Sequence, residues 1–268
     1  YLTLSTLKGF EIINNKDDYL HTLIESYRIF ASDRDNITYD YQGNDQKFLG
    51  TDNQYIKDKV NLFNKNASGK YNFPNPHGGG TAYMTAVDKD GLGISLIQSN
   101  FYGIGSRIGV GNYGFFLHNR GCGFNLIKDH PNSLAPNKKP LHTLSPTIWS
   151  KDGSLDFITG TRGGRYQPQL LAQTILPYIL EESSFEEIMK KPRWTIEYFG
   201  SDTSSNIKFE FIEDSELSTL KDKGHKISIE NKLIGGYGPI STIYKNSDGN
   251  FTGVADIRVG TEKAFNSS

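Results

Sequence analysis

Cysteine is almost absent from this sequence: Cys122 stands alone among 268 residues. A single thiol excludes an internal disulfide and any zinc site built on cysteine pairs, and it fits a reducing compartment without defining one. The histidines show no spacing that would set two ligands on one face, so neither a metal nor a cofactor is expected. Long apolar runs are missing too, and none approaches the ~18 residues a membrane-spanning helix requires. Nor is there an excess of charge of either sign. Lys and Arg number 29 against 30 Asp and Glu, with 9 basic and 10 acidic residues before Gly80 and 20 of each after it. There is therefore no electrostatic case for nucleic acid or an anionic membrane as partner. A small-molecule substrate is expected instead.

What is present reads as a globular chain, long enough for one large domain or two associated lobes. From Asp17 to Asp35, Leu20, Leu23, Ile24, Tyr27, Phe30 and Ala31 recur at helical spacing, which predicts a helix with one buried face. Polar residues then dominate as far as Asn66, as in surface loops around a short helix. Asn72–Gly80 reads NFPNPHGGG, an irregular exposed connection and the natural seam in the chain. Beyond it the period changes to two. Three strand–turn–strand segments share an Asp-Gly turn: Thr81–Val87 with Gly93–Ser99, Thr143–Trp149 with Leu155–Thr161, and Ile240–Tyr244 with Phe251–Ile257. A further strand is expected at Tyr113–His118. Helices are predicted at Gln167–Glu182, with a stripe of Leu170, Leu171, Thr174, Ile175, Tyr178 and Ile179, and after a Ser184/Glu187 capping box. A third spans Asp214–Lys223 and is closed by Gly224. Hairpin sheets covered by helices make an α+β layered domain.

Gly109–Gly114 (GVGNYG) matches the dinucleotide fingerprint formally, but a strand-like FFLHN follows where a helix would have to begin. It is set aside. Thr81 is more informative, because it starts a strand directly after the seam. A hydroxyl nucleophile needs an adjacent base, and an N-terminal Thr can use its own amine. That amine has a pKa of ~8, whereas inside an intact chain it is an amide and cannot accept the proton. Such chemistry requires cleavage between Gly80 and Thr81.

Ordered motifs give this reading a family. They are T-x-x-x-x-x-V-D-K-D-G at Thr81–Gly91, S-L-I-Q-S at Ser95–Ser99, G-I-G-S at Gly103–Ser106 and L-H-N-R-G at Leu117–Gly121. A-P-N-K-K-P-L-H-T-L-S-P-T at Ala135–Thr147, T-R-G-G at Thr161–Gly164, K-P-R-W at Lys191–Trp194 and A-D-I-R at Ala255–Arg258 follow. Together with H-T-L-I-E-S at His21–Ser26 and A-S-D-R-D at Ala31–Asp35, the chain resembles the gamma-glutamyltranspeptidases, N-terminal nucleophile hydrolases, in a divergent N-R-G-containing branch. The resemblance implies a four-layer αββα sandwich. It implies residues 1–80 as the end of a large subunit whose earlier part is missing, and 81–268 as the small catalytic subunit of a processed heterodimer. The start at Tyr1 is read as truncated, and compartment stays open.

The resemblance also assigns residues. Thr81 is the nucleophile, Ser99 its hydrogen-bonding hydroxyl, and Gly163 and Gly164 the backbone donors to the oxyanion. His142 and Thr143 occupy the place of a serine pair that contacts the substrate carboxylate. Gly123 stands where the family carries an acid for the substrate ammonium, and Arg120 adds a positive charge beside it. Phe101 stands where Asn is expected, unless Asn100 substitutes. The implied reaction is cleavage of gamma-glutamyl amides through an acyl-Thr81 ester. The alternatives are another N-acyl amide, cleaved by an acylase, or an uncleaved inactive relative.

Overall fold

A computed structural model describes residues 18–40, 53–71, 80–197 and 206–265. The seam at Asn72–Gly80 lies outside the described residues except for Gly80. The chain divides into two compact units: Tyr1–Asn75, Gly121–His142 and Ile196–Glu230 form the first, and Pro76–Arg120, Thr143–Thr195 and Asn231–Ser268 the second. This division does not follow the covalent cut expected at Gly80–Thr81, since 81–268 contributes to both units.

In the first unit, α1 (Tyr19–Ile37) is the predicted helix, but the single buried face is not what forms. Every residue from His21 to Ala31 is buried, including Thr22, Glu25, Ser26 and Arg28. Burial of these polar groups requires partners. Glu25 receives the Arg28 guanidinium at 2.8 Å, the Gly69 N–H at 2.9 Å and the Tyr71 hydroxyl at 3.2 Å. His21 Nδ1 and His225 Nε2 lie 2.8 Å apart, and His21 Nε2 donates to the Asn64 carbonyl. α2 (Asn53–Val60) is the expected short helix, tied to α1 through Tyr55 and Asp33. β5 (Trp194–Glu197), β6 (Asn206–Phe209) and β7 (Lys226–Ile229) form a sheet in that order. β6 and β7 are parallel, with α5 (Asp214–Asp222) between them in sequence.

The second unit carries the hairpins. β1 (Thr81–Val87) pairs with β2 (Gly93–Ser99) over the predicted boundaries. β3 (Thr147–Lys151), β4 (Ser154–Thr161), β8 (Ile240–Lys245) and β9 (Phe251–Ala255) make a four-stranded antiparallel sheet, ordered β3-β4-β8-β9. The hairpin packs on one face of this sheet. Tyr83 lies flat on β4, where a Cβ at Gly160 would stand 2.2 Å from its ring. α3 (Gln167–Leu180) and α4 (Phe185–Lys190) cover the other face. Phe157 fills that interface, 5.4 Å from Trp149, 4.9 Å from Tyr178 and 5.4 Å from Phe185 between ring centroids. Helices, sheet and hairpin are three of the four layers expected.

Three local expectations change. β3 begins at Thr147, so Thr143 belongs to an extended connection. The stripe on α3 is broader than predicted: Gln167, Gln169, Ala172 and Leu176 are buried as well, while Ile179 is 49% exposed. Tyr113–His118 is not a strand. A 3-10 turn at Gly111–Tyr113 is followed by a single bridge between Phe116 and Gly109. Phe115, Phe116 and Leu117 are all exposed, so the alternation that marks a half-buried strand has no core face to serve there. The predicted capping box forms as expected: Ser184 Oγ accepts from the Glu187 N–H, and the Glu187 carboxylate accepts from the Ser184 N–H.

Candidate active site

The site grows from the open end of the β1–β2 hairpin. Thr81 and Ser99 are direct cross-strand partners. Opposed residues in an antiparallel pair project to the same face, so the two hydroxyls must meet. Thr81 Oγ1 lies 2.8 Å from Ser99 Oγ. Ser99 Oγ also accepts the Phe101 N–H at 3.1 Å and donates to the Gly80 carbonyl at 3.3 Å. With that proton used on Gly80, the Thr81 hydroxyl is the donor of the Thr81–Ser99 bond. The Gly80 carbonyl receives a second donor, the Asn100 N–H, also at 3.3 Å.

The loop after β2 makes this possible. Phe101 is held at φ 75, a left-handed conformation that costs a non-glycine residue about 1–3 kcal/mol, and the turn brings its N–H back onto Ser99. Asn119 secures the loop: its side chain accepts the Tyr102 N–H at 2.9 Å and donates to the Tyr102 and Gly105 carbonyls. The Gly80 N–H in turn donates to the Gly103 carbonyl at 2.9 Å. Asn119 lies within L-H-N-R-G, and nothing in the sequence sets it apart. Its role depends on contacts 14 to 17 residues away that no periodicity reports.

A small open depression is lined by Thr81, Ser99, Phe101, Tyr102, Thr143, Gly164 and Arg165. It brings together four groups expected from sequence: Thr81, Ser99, Thr143 and Gly164. Gly163 and Gly164 have φ values of 115 and 58, and the 3-10 turn Gly164–Tyr166 leads into α3. Among the described residues, no backbone carbonyl accepts the N–H of either glycine. Such unpaired donors at a helix entry suit an anionic oxygen.

Arg120 stands behind the cleft wall. It is 9% exposed, its Nη1 donates to Thr143 Oγ1 at 2.8 Å, and its guanidinium lies 4.2 Å from the Phe101 ring centroid. No carboxylate among the described residues pairs with it. Burial lowers its pKa, with the charge of Tyr102 opposing. Asn100 contributes its backbone to the site, and its side chain is not among the cleft-lining groups. His142 is exposed and belongs to the first unit. So does Gly123, where a Cβ would stand 3.1 Å from the Leu141 carbonyl oxygen and whose own carbonyl accepts from Asn132.

Known proteins resemble this chain along much of its length. The gamma-glutamyltranspeptidase family pattern matches residues 1–265. The glutathione hydrolase-like YwrD proenzyme of Bacillus subtilis is 30% identical over 96% of this chain and 50% of its own length. The oxamate amidohydrolase proenzyme of Klebsiella pneumoniae is 31% identical over 68% of this chain and 36% of its own. Among solved structures, cephalosporin acylase from Bacillus halodurans superposes on all of this chain and half of its own, with a TM-score of 0.80 at 22% identity. Gamma-glutamyltranspeptidase from Pseudomonas nitroreducens matches 69% of this chain and 99% of its own, with a TM-score of 0.58 at 20% identity. These superpositions show the α+β N-terminal nucleophile hydrolase fold. The chain spans about half the length, or less, of these curated relatives. With a family match along nearly its whole length, the chain belongs to the gamma-glutamyltranspeptidase family.

Proposed function

We propose that the protein hydrolyses or transfers gamma-glutamyl amides through an ester on Thr81, after cutting its own chain between Gly80 and Thr81. One observation carries the reading: Ser99 Oγ touches both the Thr81 hydroxyl and the Gly80 carbonyl oxygen. In the first step Thr81 Oγ1 attacks the Gly80 carbonyl carbon and passes its proton to Ser99 Oγ as Ser99 releases its own toward the Gly80 oxygen, so that Ser99 stays neutral. The negative charge that develops on the Gly80 oxygen meets the Asn100 N–H and Ser99 donors. The peptide C–N bond breaks, the Thr81 nitrogen gains a proton, and an ester joins the Gly80 acyl group to Thr81. Water hydrolyses that ester. This leaves a Gly80 carboxylate and a free Thr81 amine, and residues 1–80 and 81–268 become parts of separate subunits.

The new amine, with an ordinary pKa of ~8, is the base for turnover. It accepts the Thr81 hydroxyl proton as Oγ1 attacks the substrate amide, and the N–H groups of Gly163 and Gly164 hold the oxyanion. The leaving amine departs with the proton. Water or a second amine then resolves the acyl-enzyme. Thr143 and Arg120 offer a hydroxyl and a cation to a substrate carboxylate, and the family resemblance adds Asn100.

A second reading has its own observation. Arg120 is a buried cation without a described carboxylate partner, and Gly123 brings no acid for a substrate ammonium, which favours an acyl group that is anionic without being an amino acid. The test is intact mass of the full-length protein over time, followed by turnover of gamma-glutamyl anilide against anilides of other N-acyl groups. Cleavage between Gly80 and Thr81, lost in Thr81→Ala together with turnover, is the expected result. A single unbroken polypeptide with full activity would overturn both readings.

A further inference from the structure

K-P-R-W and A-D-I-R were conspicuous in the sequence, yet the reaction above uses neither. Their charged residues converge in the second unit. Arg193 Nη1 lies 2.6 Å from Asp256 Oδ2, and Arg258 Nη1 lies 3.3 Å from Asp256 Oδ1. The three side chains are all but sealed from solvent, at 4%, 0% and 0% exposure. Burial by itself would raise the Asp256 pKa. The Arg193 charge, the N–H groups of Arg258 and Ile240, and the Arg258 charge together hold it below the usual carboxylate range.

The pair is aimed at one backbone segment. Asp256 Oδ2 accepts the Ile240 N–H at 2.9 Å, and Arg193 Nη1 donates to the Gly238 carbonyl at 3.3 Å. The residues between and beside these anchors press directly against the T-R-G-G turn. A Cβ at Gly238, whose φ is 123, would stand 2.0 Å from the Arg162 carbonyl oxygen, and a Cβ at Gly163 would stand 2.5 Å from that of Tyr237. Thr161 Oγ1 lies 2.9 Å from the carbonyl oxygens of both Pro239 and Arg162, which share its one proton. Backbone therefore meets backbone on both sides of the turn, with the Thr161 hydroxyl tying the two segments together and little room to absorb a shift. A displacement of Gly238 passes straight to Gly163.

Given the acyl-enzyme reading above, we propose that the buried Arg193–Asp256 pair is a positioning device for the oxyanion donors. It fixes Tyr237–Ile240, and that segment fixes the direction of the Gly163 and Gly164 N–H groups. The same geometry leaves self-cleavage out of its reach. The Gly80 carbonyl takes its donors from Ser99 and Asn100, which the pair does not touch. Turnover and processing should thus respond differently to its loss.

The experiment uses the full-length protein with three changes. Arg193→Lys keeps a charge but loses the guanidinium, whose Nη1 reaches both Asp256 and Gly238 while Nη2 rests on Met189 Sδ. The double variant Arg193→Met/Asp256→Asn removes both charges of the pair, while Arg258, the second cation against Asp256, keeps its bonds to the Met189 and Lys191 carbonyls. Ser184→Ala weakens the α4 capping box in the same unit without contact to the turn, and serves as the stability control. In both pair variants kcat is expected to fall about ten- to a hundredfold, the range for misaligned oxyanion donors, with KM within about twofold of wild type. Affinity for a tetrahedral boronate analogue of the substrate should fall by the same factor. The rate of Gly80–Thr81 cleavage should stay at the wild-type value. Ser184→Ala, with a thermal midpoint lowered to a similar degree, should keep its kcat. If kcat tracks the folded fraction alone, or processing slows in step with turnover, the positioning role is overturned. Should the double variant fail to fold, Arg193→Lys decides the matter through the same kcat and processing comparison. Loss of the acyl-enzyme reading looks different, because wild-type protein would then carry no acyl mass on the Thr81 peptide.

Discussion

Thr81 and Ser99 close the open end of one hairpin as paired residues, hydroxyl to hydroxyl at 2.8 Å. The Ser99 oxygen is shared with the carbonyl of the residue that precedes Thr81. The proposed nucleophile, its proton acceptor and the proposed scissile carbonyl are thereby collected within one turn of chain and its cross-strand neighbour.

Ser99→Ala removes that shared oxygen while leaving the hairpin pairing intact. Gly80–Thr81 cleavage should slow about ten- to a hundredfold, the effect of losing one hydrogen bond to a developing charge. A time course of intact mass reads this directly. A wild-type processing rate would remove Ser99 from the chemistry.

Arg120→Met replaces a buried guanidinium with a side chain of similar length and no charge. Charge-assisted hydrogen bonds contribute roughly 1.5–3 kcal/mol, so KM for substrates carrying a carboxylate should rise about ten- to a hundredfold. Substrates without a carboxylate should be affected little. Equal changes for both substrate types would mean that Arg120 only packs against Phe101.

Gly160→Ala tests the layer contact. The added methyl would meet the Tyr83 ring at 2.2 Å, and Tyr83 is itself held by Ser95 at 3.0 Å. Overpacking of this kind costs about 1–3 kcal/mol. Urea unfolding should show a lower midpoint, and Tyr83→Ala in the same chain should recover part of the loss.

Acid should weaken the first unit through its histidine pair. Burial, together with the charges of His21, Arg28 and Lys223, pushes His225 down to about 3. Burial also lowers His21, against the Asn64 hydrogen bond. In the unfolded chain both imidazoles titrate near ~6.5. Between those values the unfolded state binds more protons, so stability is complete above about pH 6.5 and declines as pH falls toward 3. The slope approaches about 1.4 kcal/mol per pH unit for each proton of difference. Denaturation midpoints measured from pH 7.5 to 4 should show this decline, and His225→Gln should flatten it. A constant midpoint over that range would refute it.

Where neighbouring residues along the chain specify geometry, reading and structure coincide. The Asp-Gly turns and two-residue alternation placed β1, β2 and the register of Thr81 against Ser99, because a tight turn leaves few ways to pair its strands. The capping box formed because its four residues satisfy one another. The strand expected at Tyr113–His118 does not form because Phe115, Phe116 and Leu117 are all exposed and the segment has no core face to serve, which its own hydropathy does not record.

Local order, the start of β1 at Thr81 and the family were written in turn chemistry, alternation and ordered motifs. Folding in three dimensions settled the long-range terms. It buried α1 on nearly all sides by supplying Glu25 with Gly69 and Tyr71. It sealed Arg120 against Phe101 and Thr143, and it set Gly238 under a turn dozens of residues earlier in the chain. Desolvation and backbone-to-backbone contact depend on which distant segments meet, and the spacing of residues along a strand or helix carries no record of that.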